Sequence, residues 1–93
     1  MAKPFHLTIM SPDRAMFDAE ATYLHVPGSA GSMGILADHA SLISSLKPGT
    51  FEIYRTEGAP IHFTTQKAGL VEVNRNKVSV LLDVVDAEAL TAN

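Results

Sequence analysis

Residues 70–82 have the sequence LVEVNRNKVSVLL, in which two alternating apolar runs flank a polar segment at 74–77. The second run alternates at Val78, Val80, Leu82 and Val84. Period-two alternation is typical of a strand with one buried face, and the polar segment between the runs predicts a reversal of the chain. We therefore predict a β-hairpin here. Because Leu81 and Val85 are also apolar, we expect its second strand to be central or covered on both faces.

The same alternation marks strands upstream of this hairpin. It predicts a first strand over Pro4–Met10 and, after a short apolar segment at 15–17, a second over Thr22–Val26. Residues 51–54 and 61–65 form a further hairpin around a turn rich in Gly and Pro. Short strands separated by turns, without βαβ alternation, predict an all-β fold, an antiparallel β-sandwich or flattened barrel.

The stretch Val26–Leu46, VPGSAGSMGILADHASLISSL, departs from this alternation. Gly28, Gly31 and Gly34 recur at an interval of three, which indicates that backbone geometry is specified there. We interpret the stretch as a long functional loop and as the working surface of the domain. From Asp38 onward two alternatives remain open: a short helix capped by Asp38, or an extended segment.

Composition excludes several classes of function. The chain has 93 residues, enough for one core, and a net charge of -3. Its seven Lys and Arg residues are scattered, so the basic footprint of a nucleic-acid binder is missing. There is no cysteine, hence no disulfide and no thiolate metal site, and no run approaches the ~20 apolar residues of a membrane span. We expect any membrane connection to go through a partner.

Residue spacing also disfavours catalysis and cofactors. The four histidines, His6, His25, His39 and His62, lack metal-binding spacing, so we expect no metal site, although a metal-dependent enzyme using His25, His39 and Asp38 is an alternative hypothesis. Asp38 and His39 resemble an acid–base pair, but adjacent side chains on an extended chain point apart. The glycine series is neither a dinucleotide fingerprint nor a phosphate loop, so we expect no catalytic residue, nucleotide site or cofactor. Binding outranks catalysis.

Four motifs in register resemble one family. They are the opening strand at 5–10, Pro-Gly-x-x-Gly-x-x-Gly-Ile-Leu-x-x-His-Ala-x-Leu at 27–42, Leu-Lys-Pro-Gly at 46–49, and Asn-Lys-Val-x-Val-Leu at 76–81. Their order and spacing are similar to those of the N-terminal domain of the ε subunit of F-type ATP synthases, called δ in mitochondria. Ala68–Val73 also resembles a strand of that family.

The resemblance implies a β-sandwich of about ten strands. It implies a non-catalytic rotor subunit that binds γ in the central stalk, rests on the c-ring and couples ion flux to ATP synthesis. Such a subunit lies peripherally at the cytoplasmic face of the membrane in bacteria. The resemblance also favours an extended conformation over Ser41–Leu46. By family position, the ring-facing residues are Gly31, Ser32, Met33 and Gly34. The γ-facing residues are Met10, Ser11, His39, Leu42 and Ser44.

The chain also departs from the family pattern. Ser32 stands where many members have an acidic residue, and Ala37-Asp38 replaces a common Pro-Gly, so Asp38 is a candidate replacement for the missing charge. We expect a domain over 1–86 and a frayed tail over 87–93, where the family continues into an inhibitory helical hairpin. We therefore expect no self-inhibition and no ATP site. An apolar γ-facing surface predicts self-association without γ.

One alternative function is a free-standing β-sandwich that binds carbohydrate or peptide. With 6% aromatic residues and no Trp, the chain lacks the stacking platforms that such sites favour.

Overall fold

The computed structural model describes residues 3–83, which form eight β-strands. The strands are β1 (Phe5–Met10), β2 (Ala15–Gly28), β3 (Gly31–Ile35), β4 (Leu42–Leu46), β5 (Thr50–Arg55), β6 (Ile61–Thr64), β7 (Gly69–Asn74) and β8 (Lys77–Leu82). The all-β prediction is confirmed, with eight strands rather than about ten in this part of the chain. The expected domain boundary at 86, the tail 87–93, Val84 and Val85 lie outside the described residues.

Strand β2 organises the sheet. The hydrogen-bonded order is β1-β8-β7-β4-β2-β5-β6, with β3 on β2, and β1 also pairs with β2. The first half of β2 pairs with β1, and its second half pairs with β5 and β3. One side of the resulting flattened barrel is therefore formed by β1, β8, β7 and β4, and the other by β5, β6 and β3, with β2 crossing between them.

Pairing direction and the length of β2 differ from the sequence prediction. All pairs are antiparallel except β1 and β8, which run parallel with Met10 opposite Leu81. Alternation identifies a strand but carries no information about a distant partner's direction. The apolar segment at 15–17 and the predicted strand Thr22–Val26 belong to the single fourteen-residue strand β2.

The interpretation of Val26–Leu46 as a long loop is wrong. Strands β2 and β3 form a tight hairpin in which Gly28 pairs with Gly31. Gly31 has φ 138°, which favours glycine, and a Cβ on Gly28 would lie 2.5 Å from the carbonyl oxygen of Gly31. These glycines allow two strands to approach and turn, so the motif specifies a hairpin.

The open question after Asp38 is resolved in favour of a strand. Residues Leu42–Leu46 form β4, which pairs with β7 in antiparallel register. The helical alternative is wrong. Leu42 and Leu46 fit the period of a strand as well as that of a helix, and pairing with β7 selects the strand. Leu46 points into the core, and Ile43 points outward with 68% of its surface exposed.

The core lies between the two sides of the barrel. Phe51 and Phe63 stack there with ring centroids 4.8 Å apart. Strand β8 pairs on both edges, which confirms the central position. The alternative, a strand covered on both faces, does not apply, since Leu81 is 45% exposed whereas Leu82 is buried.

Leu81 and Leu82 provide a test of this register, since they are adjacent leucines on opposite faces of β8. We expect Leu82→Ala to lower the free energy of unfolding by about 2–5 kcal/mol because it leaves a cavity in the core. Leu81→Ala should change it by less than about 0.5 kcal/mol. Chemical denaturation of both variants measures the difference, and equal losses would contradict the facing assigned to β8.

Candidate interaction surfaces

The outward face of β1, β8, β7 and β4 changes from charged to apolar along the strands. At one end, cross-strand neighbours place Met10 beside Leu81 and Leu81 beside Leu70. We call these three residues the apolar row. Leu81 and Leu70 are 45% and 40% exposed, and single exposed leucines are ordinary, but cross-strand neighbours form a continuous apolar strip.

A shallow groove of about 200 Å³ extends the apolar row past the strand ends. Its lining includes Pro12, Gly69 and Asp83 besides the two leucines of the row. Ser11 lies next to Met10 in a turn closed by its amide donating to the Arg14 carbonyl at 2.9 Å. Of the predicted γ-facing residues, Met10 and Ser11 therefore lie together at this apolar end.

The opposite end of the same face is charged. His6 on β1 lies between Glu20 and Asp18 on β2 and Lys77 on β8. Its Nδ1 is 3.0 Å from Glu20 Oε2, and its Nε2 contacts Asp18 Oδ1. Both ring nitrogens can donate to carboxylates only when the imidazole is protonated, so the hydrogen bonds to Glu20 and then Asp18 raise the pKa of His6.

The predicted ring-facing residues form strand β3 of the hairpin rather than a loop. Gly31, Ser32 and Gly34 are exposed, and Met33 is half-buried against the core. The hairpin is attached to the end of β4, since the Ser29 amide donates to the Ser45 carbonyl and Ser45 Oγ donates to Ser29 Oγ, both at 3.0 Å. No charged residue occurs between 26 and 37. The hairpin therefore presents a fastened, uncharged tip.

Two of the predicted γ-facing residues lie on the inward side of strand β4, away from the outward face. Leu42 and Ser44 are half-buried there, with Leu42 packed against the core. The outward positions are Ile43 and Ser45, and the polar Ser45 borders the apolar row because it pairs with Leu70. Sequence analysis missed Ile43, because apolar residues occur on both faces of this strand.

His39 lies at the charged end of the barrel. It ends a turn in which its amide donates to the Leu36 carbonyl at 3.2 Å, with Asp38 at φ 65°. Residues 36–39 therefore form a turn, whereas the sequence argument about Asp38 and His39 assumed an extended chain at that point. His39 Nδ1 donates to the Ala40 carbonyl at 2.8 Å, while the Asp38 carboxylate contacts other residues. The two side chains do not form an acid–base pair with each other.

The structure does not bring His39 next to Met10. Asp38 contacts Asn76 in the turn just before β8, whereas Met10 pairs with Leu81, five residues later in the chain than Asn76. Five strand residues span about 16 Å. The predicted γ-facing set is therefore spread along the barrel rather than gathered at one point.

In the part of the chain that the structure describes, no three His, Asp or Glu side chains are grouped so that they could hold a metal ion. Between residues 3 and 83 there is no helix long and apolar enough to cross a membrane.

Comparison with known proteins identifies the family of this barrel. The family model for the β-sandwich domain of the ATP synthase delta/epsilon chain matches residues 4–88. The chain belongs to this family. An ATP synthase epsilon chain of Parvibaculum lavamentivorans is 36% identical over 83 residues, which cover 89% of this chain and 62% of the relative. One of Bordetella parapertussis is 40% identical over 79 residues, covering 84% and 55%.

This chain therefore spans 55% to 62% of the length of those two relatives. Solved structures with the same fold belong to larger assemblies. A chain of the Euglena gracilis mitochondrial ATP synthase, in a structure of OSCP, F1 and the c-ring, superposes with TM-score 0.82 at 21% identity, covering 89% of this chain and 52% of that one. A chain from the Tetrahymena thermophila ATP synthase central stalk and c-ring gives 0.76 at 16%, covering 91% and 67%. At these identities the likeness shows the fold.

The His6 contacts predict a pH-dependent contribution to stability. Because the folded-state pKa is raised above 6.5, the contribution is fully present below pH 6.5 and is lost as pH rises through the folded-state pKa. We expect His6→Gln to destabilise the domain more at pH 5.5 than at pH 9, by less than about 1 kcal/mol as for other exposed ion pairs. Thermal unfolding at both pH values measures this difference.

The matched control is His62→Gln on the other side of the barrel, where Glu52 Oε1 lies 3.9 Å from His62 Nε2, beyond hydrogen-bond distance. It should show a smaller pH dependence. Equal destabilisation by His6→Gln at the two pH values would contradict a proton-linked contact.

Proposed function

We propose that this chain is a non-catalytic rotor subunit of an F-type ATP synthase. In this proposal it binds the γ subunit in the central stalk and rests on the c-ring. It then lies at the membrane only as a peripheral part of the complex, on the cytoplasmic face in a bacterium. Family membership supports this proposal over a carbohydrate- or peptide-binding module, and the relatives named ATP synthase epsilon chain support it further.

The apolar row carries the proposal for γ. Met10, Leu81 and Leu70 lie side by side on three paired strands and keep apolar surface in water. Covering apolar surface is favourable by about 25 cal/mol per Å², so a complex in which a partner covers the apolar row is stabilised. In the next outward row, Thr8, Ser79 and Glu72 are polar and form a rim on that side, and the row ends at the exposed Ile43 beside Glu72. An apolar centre with a polar rim is the usual anatomy of a protein–protein interface.

The β2–β3 hairpin carries the proposal for the ring. Its tip has small exposed residues and no charge, and two hydrogen bonds fasten it to β4. Polar ring loops can approach such a backbone closely, with Ser32 available as donor or acceptor. Because Ser45 both contacts the hairpin and pairs with Leu70 of the apolar row, the two proposed contacts are joined by one strand.

Torque transmission then needs rigidity rather than chemistry. Strand β1 is hydrogen-bonded on both edges, to β8 and to β2, so β1, β8, β7, β4 and β2 are joined in a continuous circuit. Force applied at the hairpin passes through β2 and β4 into strands that carry the apolar row. Ion-driven rotation of the ring can thereby be transferred to γ without a hinge in this domain.

Leu81→Glu tests the γ contact. We expect co-purification with the γ subunit of the same enzyme to fall at least tenfold, because a charge would be buried in the proposed interface. Leu81 is exposed, so the variant should keep the unfolding temperature of the wild type to within a few degrees. Affinity for γ and thermal unfolding are measured on the same preparations.

The control is Thr64→Glu, an exposed position at the other side of the barrel. It should bind γ as the wild type does. A Leu81→Glu variant that is folded and binds γ normally would overturn the assignment of this face, and a wild type that does not bind γ would overturn the proposed function.

Ser32→Trp tests the ring contact separately. The bulky indole side chain should separate the hairpin tip from the c-ring. Retention of this chain on rotor complexes that contain γ should therefore fall several fold, while binding to γ alone is unchanged. Co-sedimentation with c-ring and γ measures retention. Thr64→Trp is the control, and normal retention of Ser32→Trp would contradict a ring-facing hairpin.

A further inference from the structure

The turn at Leu36–His39 contains an aspartate in a backbone conformation that favours glycine. The hydrogen bond from the His39 amide to the Leu36 carbonyl closes four residues, and the third, Asp38, has φ 65°. A positive φ at the third position is the mark of a type II turn, where glycine has the lowest energy. A non-glycine residue is strained in this conformation, although aspartate tolerates it better than most.

The carboxylate of Asp38 has contacts that a glycine would lack. Lys3 Nζ donates to both of its oxygens at 3.0 and 3.1 Å, and Asn76 Nδ2 donates to Oδ1 at 3.1 Å. The Asp38 amide in turn donates to Asn76 Oδ1 at 2.7 Å. Asn76 and then Lys3 hold the pKa of Asp38 below its usual value, so the carboxylate is charged at neutral pH.

Asn76 is itself fixed to the barrel. It lies in the turn between β7 and β8, and its carbonyl accepts a hydrogen bond from the His6 amide at 2.9 Å. Asp38 therefore ties the turn before β4 to two other segments, the chain before β1 and the β7–β8 turn. The turn before β4 carries Leu36, which is 57% exposed, and His39, which is half-buried.

We propose that Asp38 is a positioning residue: bound by Asn76 and Lys3, it holds the Leu36–His39 turn in the conformation that presents Leu36 and His39 to the γ subunit. The inference rests on the proposed function, since γ is the partner. It adds a second contact at the charged end of the barrel, about 16 Å along the strands from the apolar row.

The choice of residue supports a role beyond folding. A glycine would satisfy φ 65° without steric cost, so the turn alone does not need a carboxylate. What the carboxylate adds is order, through contacts that converge from two separate segments. Pre-ordering raises apparent affinity because only the fraction of molecules in the competent conformation binds.

Asp38→Gly is the decisive variant, because glycine accepts the backbone conformation while all side-chain contacts are lost. We expect the unfolding temperature to stay within a few degrees of the wild type. Amide exchange at residues 38 and 39 should accelerate at least threefold, and affinity for γ should fall about three- to tenfold. Asp38→Asn keeps an acceptor for Asn76 and the tolerated φ, so it should restore most of both losses.

Lys3→Gln provides a second variant that leaves the turn sequence intact. This variant should accelerate amide exchange at residues 38 and 39 by a smaller factor than Asp38→Gly does. In the wild type, 0.5 M salt should also accelerate it, because salt screens the ion pair between Lys3 and Asp38. A Leu82 amide, remote from the turn, serves as the internal control and should exchange at the wild-type rate in every variant.

The outcomes separate this inference from the proposed function. If the wild type binds γ and Asp38→Gly binds equally well, the positioning role is overturned while the proposed function stands. Unchanged amide exchange in both Asp38→Gly and Lys3→Gln would overturn it as well. If the wild type does not bind γ, both proposals fail. A structural role alone predicts a lowered unfolding temperature in Asp38→Gly without rescue of γ affinity by Asp38→Asn.

Discussion

The pairing of one strand with both sides of the barrel determines the rest of this structure. Strand β2 forms hydrogen bonds with β1, β3, β4 and β5, and its register shifts between Ala21 and Tyr23, where it passes from one side to the other. A strand shared in this way prevents the two sides from sliding independently. It also places the hairpin at one end of the barrel and gives β1 a second partner.

The distribution of surface chemistry follows from that arrangement. Strands β1, β8, β7 and β4 share an outward face whose charged end carries His6 and whose apolar end carries Leu70 and Leu81. The hairpin is fastened to the apolar end through Ser45, and the turn containing Asp38 is fastened to the charged end. A partner lying along the face would contact both ends, whereas a partner below the hairpin would contact only its tip.

Sequence alternation predicted the strands whose buried face is clear, such as β1 and the β7–β8 hairpin, because period two is a local property. It could not predict the parallel pairing of β1 with β8, which joins opposite ends of the chain. It also missed Ile43, because apolar residues occur on both faces of β4. The family resemblance supplied Met10 and Ser11, which the structure brings to the apolar end, and Leu42 and Ser44, which it places inward.

Hydroxyl-radical footprinting of free and assembled chain would show which face is covered. Leucine and methionine side chains report directly on solvent access. If the apolar row docks γ, oxidation of Met10, Leu70 and Leu81 should fall several fold in the complex, while that of Tyr54, which is exposed on the other side of the barrel, stays unchanged. Unchanged oxidation of the apolar row in an assembled complex would contradict the proposed docking face.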